Sequence, residues 1–95
     1  MHLSVLRQKY KEPILNIAKI CHVSNVRIFG SVARGEENDA SDIDFLVHIE
    51  PEAGFSIGGL YWRLEELLGC PVDVVSDNSL HPVIRDKILQ EAVPL

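Results

Sequence analysis

The 95-residue sequence predicts an α/β (α+β) protein in which helices flank a small mixed β-sheet. Short β-branched and aromatic segments alternate with longer segments whose apolar residues recur at helical spacing. The order helix, strand, turn, strand, helix, strand, helix also contains a strand–helix–strand unit, which usually brings its two strands into one sheet. No repeat, linker or low-complexity stretch divides the sequence, so we expect a single domain over residues 1–95.

The first part of the sequence predicts one or two helices, a strand and a turn. Apolar residues recur on one helical face over residues 3–21, and Pro13 is expected to kink this helix or to start a second one. The segment VRIFG (26–30) has a strand pattern that Gly30 ends, and the following SVARGE is long enough only for a helical turn.

The second part predicts two further strands and two further helices. The segment DIDFLVHIE (42–50) is β-branched and aromatic and is stopped by a proline. A helix follows from about residue 58 and ends at a glycine in a C′-like position. CPVDVVS (70–76) is the next strand, and PVIRDKILQEAV (82–93) is a helix with an apolar stripe that opens with a proline.

Composition and charge restrict the class of protein. Cys21 and Cys70 lack metal-ligand spacing and are expected to be reduced and buried. No apolar run approaches the roughly 20 residues of a membrane span, so we expect a soluble cytoplasmic protein. Residues 1–34 carry six Lys/Arg and one acid, but four of these cations, Arg7, Lys9, Lys11 and Lys19, are spread along a helix as its solvated face, so nucleic acid is not an expected partner.

Three aspartates form the most informative pattern. Asp42 and Asp44 lie two apart in a predicted strand, so both side chains leave the face opposite the intervening apolar residues. Two carboxylates at this spacing can converge on Mg²⁺ together with phosphates and water, although a solvated strand edge is the alternative for so short a pattern. Asp73 is a lone acid in an apolar strand and would complete a triad if the two strands were neighbours.

A phosphate site is expected just upstream of these acids. At Gly30-Ser31 a strand ends and a turn begins, where a glycine lets the backbone approach a ligand and free N–H groups favour anions. Ser31 could add a hydroxyl donor and Arg34 a cation, with a plain solvated turn as the alternative for Arg34. Phosphate donors and metal-ligating acids so close in sequence suggest a nucleotide–Mg²⁺ complex.

The segments GSVARGEENDASDIDFLV (30–47) and GCPVDVVS (69–76) closely resemble the minimal nucleotidyltransferases of the DNA polymerase β superfamily, and the ending IRDKILQEAVPL is also similar to this group. Six residues match the pattern G-S-x-x-x-G, D-x-D and a third acid: Gly30, Ser31, Gly35, Asp42, Asp44 and Asp73. The resemblance implies the polymerase β-like fold and transfer of a nucleoside monophosphate from a triphosphate, with pyrophosphate leaving. It implies that the Gly30-Ser31 turn holds the triphosphate.

The resemblance also implies a metal mechanism and a partner. Asp42 and Asp44 would bridge two Mg²⁺ ions, and Asp73 would bind the catalytic metal and help activate the attacking hydroxyl. Family members of this size are similar to antitoxins that transfer AMP from ATP to a tyrosine of a HEPN-domain toxin. Because 95 residues leave little beyond the catalytic core, we expect such a toxin to supply the acceptor in a hetero-oligomer. An antitoxin that only binds, or transfer to a small molecule or an RNA end, are the alternatives.

Other polar and aromatic residues have less specific expectations. The acids between the two motifs are expected on a solvated loop: Glu36, Glu37 and Asp39. His48 shares the strand face of the two aspartates and could line the site. Tyr61 and Trp62 are expected to pack or to meet a partner.

Overall fold

The computed structural model describes residues 1–38 and 41–95, and these contain four strands in one sheet. The strands are β1 (Val23–Phe29), β2 (Ile43–Ile49), β3 (Val72–Ser76) and β4 (Val93–Pro94). In space their order is β3-β2-β1-β4, with β1 antiparallel to both β2 and β4, and β3 parallel to β2. The predicted small mixed sheet is therefore confirmed.

Five helices accompany the sheet in the described part of the chain: α1 (Leu3–Val5), α2 (Lys11–Ile20), α3 (Gly30–Arg34), α4 (Leu60–Leu68) and α5 (Pro82–Glu91). A π-helical turn joins α1 to α2, and 3₁₀ segments precede α4 and α5. The irregular π-helical turn ends just before Pro13, which has no N–H to donate to the preceding turn. A second helix therefore starts close to this proline, but its first residue is Lys11 and Pro13 is its third.

Several boundaries differ from the sequence prediction. β1 begins at Val23, and Gly30 opens α3 instead of ending the strand. β2 begins at Ile43, so Asp42 precedes the strand. The regular α-helix α4 begins at Leu60, because the two preceding glycines disfavour α-helix. β4 was not predicted, since two residues carry no periodic pattern and this strand exists only by pairing with β1.

Helices α2 and α4 pack against each other and on one face of the sheet. The side chains of this core are almost fully buried, and they include Ile14, Ala18, Ile28, Ile43, Phe45, Val47, Leu60, Leu64, Leu68 and Val72. Because side chains alternate along a strand, β2 directs Asp44 and His48 to the opposite face, which helices α2 and α4 do not cover. Burial of the apolar face of β2 therefore determines the direction in which the Asp44 side chain points.

Two expectations about apolar residues are met only in part. Cys21 is buried, but Cys70 is only partly buried, and both are free thiols. Helix α5 forms as predicted, yet its apolar stripe does not enter the core, since Val83 is 81% exposed and Ile84 48% exposed. Within the described ranges, no helix is both long enough and apolar enough to cross a bilayer.

Two isoleucines of the same helix provide a matched test of this core. Ile14 is 1% exposed in α2, whereas Ile20 at the end of α2 is 55% exposed. We expect Ile14→Ala to lower the free energy of unfolding by about 2–5 kcal/mol, because it removes buried methyl groups and leaves a cavity. Ile20→Ala should change it by less than about 1 kcal/mol in the same urea titration. Equal losses would contradict the packing described.

Candidate active site

The strand register brings the end of β1 and the beginnings of β2 and β3 together at one end of these three strands. Phe29, the last residue of β1, pairs with Asp44, the second residue of β2. On its other side Asp44 pairs with Asp73, the second residue of β3. Paired residues of neighbouring strands place their side chains on the same face, with the strands roughly 5 Å apart. The condition set by the sequence, that the two strands be neighbours, is therefore met.

The three predicted acids are neighbours with different exposure. Asp42 and Asp73 are exposed, whereas Asp44 is partly buried between its neighbouring strands. Burial raises the pKa of the Asp44 carboxyl. Nearby negative charges raise this pKa further, those of Asp73, Asp42 and Glu91, and the Arg34 guanidinium lowers it only in part. Asp44 thus sits in an excess of negative charge.

Gly30 follows Phe29 and lies directly against the Asp44 side chain. Its φ of +73° is in the left-handed region, which favours glycine. A Cβ atom built at Gly30 would lie 2.0 Å from Asp44 Oδ2, well inside van der Waals contact. A glycine is therefore required here for two reasons, backbone conformation and the space that the Asp44 carboxylate occupies. Ser31 follows as the second residue of α3.

Arg34 is paired with two carboxylates. Its Nε donates to Glu36 Oε2 at 2.8 Å, and a terminal nitrogen donates to Glu91 Oε1. The second Glu91 oxygen, Oε2, accepts the Gly30 backbone N–H at 2.8 Å. Burial alone would raise the pKa of Glu91, but hydrogen bonds from Arg34 and Gly30 outweigh it and hold the pKa below its usual range. The same two acids raise the pKa of Arg34.

Sequence reasoning did not single out Glu91 or the contact that Tyr61 makes. Glu91 is 61 residues from Gly30, so no local pattern connects them, and only the similarity of the chain's ending to the family pointed there. The Tyr61 hydroxyl donates to the Val74 carbonyl at 2.9 Å and accepts the Val74 N–H at 3.1 Å. It also lies 3.4 Å from Asp73 Oδ1, so Tyr61 covers the free edge of β3 beside this acid.

His48 lies on the expected strand face but belongs to a separate cluster. Its Nδ1 is 2.8 Å from Asp77 Oδ1, and Asp77 Oδ2 accepts from Arg27 at 2.6 Å. Hydrogen bonds from His48 and Arg27 outweigh the effect of burial and lower the pKa of Asp77. The cluster of His48, Asp77 and Arg27 lies toward the end of β2 that is far from Asp44. Trp62, the other residue expected to pack or to meet a partner, is 63% exposed and does not pack into the core.

The acidic loop after α3 is only partly solvated. Glu36 is exposed, as expected. The expectation for Glu37 is wrong, because its side chain is 4% exposed and pairs with His2 of the N-terminal segment. Asp39, the third acid of this loop, lies outside the described residues.

The acids near Asp44 have the oxygen ligands that a hard divalent cation prefers, but they do not form a complete metal site by themselves. Across residues 1–38 and 41–95, no group of three or more His, Cys, Asp or Glu side chains is arranged so that it could hold a metal ion. Mg²⁺ typically takes one or two carboxylates and completes its shell with water and substrate phosphates, so an open set of acids suits it. The excess negative charge around Asp44 gives such a cation a favourable position.

The family model for the nucleotidyltransferase domain matches residues 6–95. The chain belongs to the nucleotidyltransferase family. A relative from Methanocaldococcus jannaschii, provisionally named a protein adenylyltransferase, is 44% identical over 84 residues, which cover 87% of this chain and 90% of that protein. Protein adenylyltransferase MntA of Thermococcus cleftensis is 39% identical over 72 residues, which cover 75% of this chain and 73% of MntA.

Solved structures show the same nucleotidyltransferase fold. A protein described as a minimal nucleotidyltransferase superposes with a TM-score of 0.85 at 42% identity, covering all 100% of this chain and 97% of its own. A toxin–antitoxin structure with AMP-PNP superposes with a TM-score of 0.74 at 20% identity, covering 90% of this chain and 71% of its own. The second likeness is one of fold. The family and the fold expected from the sequence are thus confirmed.

Two glycines of this nucleotidyltransferase separate backbone strain from contact with Asp44. Gly30 has φ +73° and Gly35 has φ +72°, but a Cβ at Gly35 would meet nothing within 4 Å. We expect Gly35→Ala to lower the free energy of unfolding by roughly 1–2 kcal/mol, the left-handed backbone cost alone. Gly30→Ala should cost clearly more, since it adds the clash with Asp44. Equal losses in a urea titration would show that the carboxylate moves aside freely.

The charge of Asp44 should make the metal-free protein less stable. A raised pKa means that the folded protein holds this proton more tightly than the unfolded chain, so stability falls as pH rises through the pKa of folded Asp44. We expect Asp44→Asn to raise the free energy of unfolding at pH 7 in a chelator. The gain should shrink as the pH falls below the ordinary carboxyl pKa of about 4.

The matched control for Asp44→Asn is Asp86→Asn on the exposed surface of α5. Urea titrations of both variants between pH 3 and about pH 8 would check the expectation. A gain that is independent of pH, or an equal gain for Asp86→Asn, would contradict it.

Proposed function

We propose that this nucleotidyltransferase transfers AMP from ATP to a tyrosine hydroxyl of a HEPN-domain toxin and thereby acts as its antitoxin. The observation that carries the proposal is the register of Asp44 with Asp73 beside the Gly30-Ser31 turn. Relatives named protein adenylyltransferases support the transferred group and the protein acceptor. The shared fold of a toxin–antitoxin structure with AMP-PNP supports ATP as substrate and a toxin as partner.

Asp42, Asp44 and Asp73 are the proposed ligands for two Mg²⁺ ions, and ATP is the proposed substrate. When bound, Mg²⁺ would neutralise phosphate charge and stabilise the in-line displacement. The partial burial of Asp44 keeps its carboxylate fixed against Gly30. Asp42 and Asp73 are exposed and remain open to solvent and substrate.

The Gly30-Ser31 turn is the proposed phosphate site. It lies at the same sheet edge as the acids, since Phe29 pairs with Asp44 and Gly30 follows it. The contact of Gly30 with the Asp44 side chain supports a site in which phosphate donors lie beside metal-binding oxygens, as a metal–triphosphate complex requires. Arg34, the cation expected at this turn, lies beside it and is paired with Glu36 and Glu91.

Asp73 is the proposed base because of its position on the edge strand. Tyr61 covers the neighbouring edge of β3, but Asp73 itself is exposed, so an acceptor from another protein can approach Asp73 from solvent. The acceptor hydroxyl gives its proton to the Asp73 carboxylate, and its oxygen bonds to the α-phosphorus of ATP. The bond from that phosphorus to the β-phosphate breaks, and pyrophosphate leaves.

A protein partner also agrees with the exposed apolar surface. Helix α5 presents Val83 and Ile84 to solvent, while its last residue contacts the Gly30 turn. Val83 and Ile84 adjoin each other in the first turn of α5, and adjoining exposed apolar side chains offer a surface that another protein can cover. A hetero-oligomer would then bring the toxin tyrosine to the proposed active site.

Transfer of label from α-³²P-ATP to a HEPN-domain toxin encoded beside this protein tests the proposal. We expect the wild type with Mg²⁺ to label the toxin and a chelator to abolish labelling. Loss of a residue that only supports a metal ligand typically costs 10–100-fold, so loss of a proposed ligand itself, in Asp44→Ala, should lower the labelling rate by at least about 100-fold. Asp86→Ala, an exposed acid on α5, is the matched control and should label normally.

The outcomes separate transfer from binding alone. An unlabelled toxin, with wild type and Asp44→Ala indistinguishable, would overturn the proposal. Neutralisation of the toxin by the Asp42→Asn, Asp44→Asn double variant without labelling would instead favour a binding-only antitoxin. Replacement of the acceptor tyrosine of the toxin by phenylalanine should remove the label while complex formation persists.

A further inference from the structure

Two distant parts of the chain meet at the proposed phosphate turn through one side chain. Glu91 is the last residue of α5, and its two oxygens accept hydrogen bonds from the Gly30 N–H and from the Arg34 guanidinium. The Glu91 side chain is 15% exposed. Both oxygens therefore have protein partners at the beginning and at the end of α3.

The backbone on each side of Glu91 is held in place. The Ala92 N–H donates to the Ile88 carbonyl at 2.9 Å, which closes the last turn of α5. Residues Val93 and Pro94 then form β4 on β1, and the Leu95 side chain is 8% exposed. Because the backbone on both sides of Glu91 is held in place, the hydrogen bond from Gly30 to Glu91 restrains the position of Gly30.

The position of Gly30 matters because it has no room to shift toward Asp44. A Cβ at Gly30 would lie 2.0 Å from Asp44 Oδ2, so the backbone and the carboxylate are already in contact. Glu91 holds the amide of the same residue. Gly30 is therefore fixed between two carboxylates, and among residues 1–38 and 41–95 the Glu91 carboxylate forms an ion pair, with Arg34, whereas the Asp44 carboxylate forms none.

We propose that Glu91 is a positioning residue for nucleotide binding, which sets the Gly30-Ser31 turn, and that Arg34 acts through Glu91 instead of binding phosphate itself. This inference rests on the proposed function, since it assigns the support of that same phosphate site. Because the Gly30 N–H is already engaged by Glu91, the donors left for a phosphate on this turn are those of Ser31.

Calorimetric binding of AMP-PNP with Mg²⁺, together with the steady-state transfer assay, tests this role. Loss of such a supporting contact typically costs 10–100-fold, so we expect Glu91→Ala to weaken AMP-PNP binding by about tenfold or more. The KM for ATP should rise in parallel while kcat changes little, because the turn binds triphosphate equally in ground and transition states. Glu91→Gln keeps an oxygen acceptor for Gly30 and should lose clearly less affinity.

Asp77→Ala is the matched control. Asp77 also bridges two partners, Arg27 and His48, and its side chain is 21% exposed, but it lies in the separate cluster. We expect this variant to lose stability as Glu91→Ala does, yet to bind AMP-PNP within about twofold of wild type, since it removes no support of the turn. The ¹⁵N–¹H spectrum of each variant shows whether it folds, and the Gly30 amide peak should shift only when Glu91 is changed.

Each outcome decides the inference. Glu91→Ala binding AMP-PNP as tightly as wild type would reduce Glu91 to a structural contact, and tighter binding would make it a competitor of the phosphate; both overturn the proposal. In the Arg34→Gln, Glu91→Gln double variant, affinity equal to that of Glu91→Gln supports Arg34 acting through Glu91, and additive losses contradict it. A wild type that binds no AMP-PNP would overturn the proposed function and this inference together, a pattern distinct from failure of the variants alone.

Discussion

The negative charge around Asp44 is the constraint on which the rest of the site depends. Carboxylates held close together repel, and partial burial adds to the cost, so the pKa of Asp44 is raised. The fold must supply the energy that keeps these acids together. It does so from the other face of the sheet, where Ile43 and Phe45 are fully buried in one core with side chains of α2 and α4. Because side chains alternate along β2, burying those two residues directs Asp44 outward.

The parallel pairing of β2 and β3 has the same origin. Parallel neighbours need a crossover connection, and here that connection contains α4, whose Leu60, Leu64 and Leu68 pack into the shared core. Moving β3 by one residue would turn Val72 out of the core and Asp73 into it, so the register is strongly specified. The position of Asp73 beside Asp44 is thus fixed by hydrophobic packing that neither carboxylate takes part in.

Alternation and turn chemistry made much of this predictable from sequence, whereas long-range contacts did not. The opposite faces of Asp44 and Phe45, the glycine at residue 30 and the apolar strand around Asp73 are all local patterns. By contrast, the contacts of Glu91 with Gly30 and of Glu37 with His2 join residues far apart in the chain, and β4 exists only through its pairing with β1. Such features depend on tertiary contacts that a pattern of single residues does not encode.

Gly30 lies between the carboxylates of Glu91 and Asp44, and the difference between the partners of these two groups connects the fold to the proposed chemistry. On one side Glu91 is paired with Arg34, a cation of the protein itself, which Glu91 shares with Glu36. On the other side Asp44 forms no ion pair with a basic side chain within residues 1–38 and 41–95. An ion that binds only the folded protein stabilises it by mass action, so a divalent cation at Asp44 would offset the repulsion among these acids. The protein thus pairs the carboxylate that holds its turn with a cation of its own, whereas the proposed metal ion would balance the charge at Asp44.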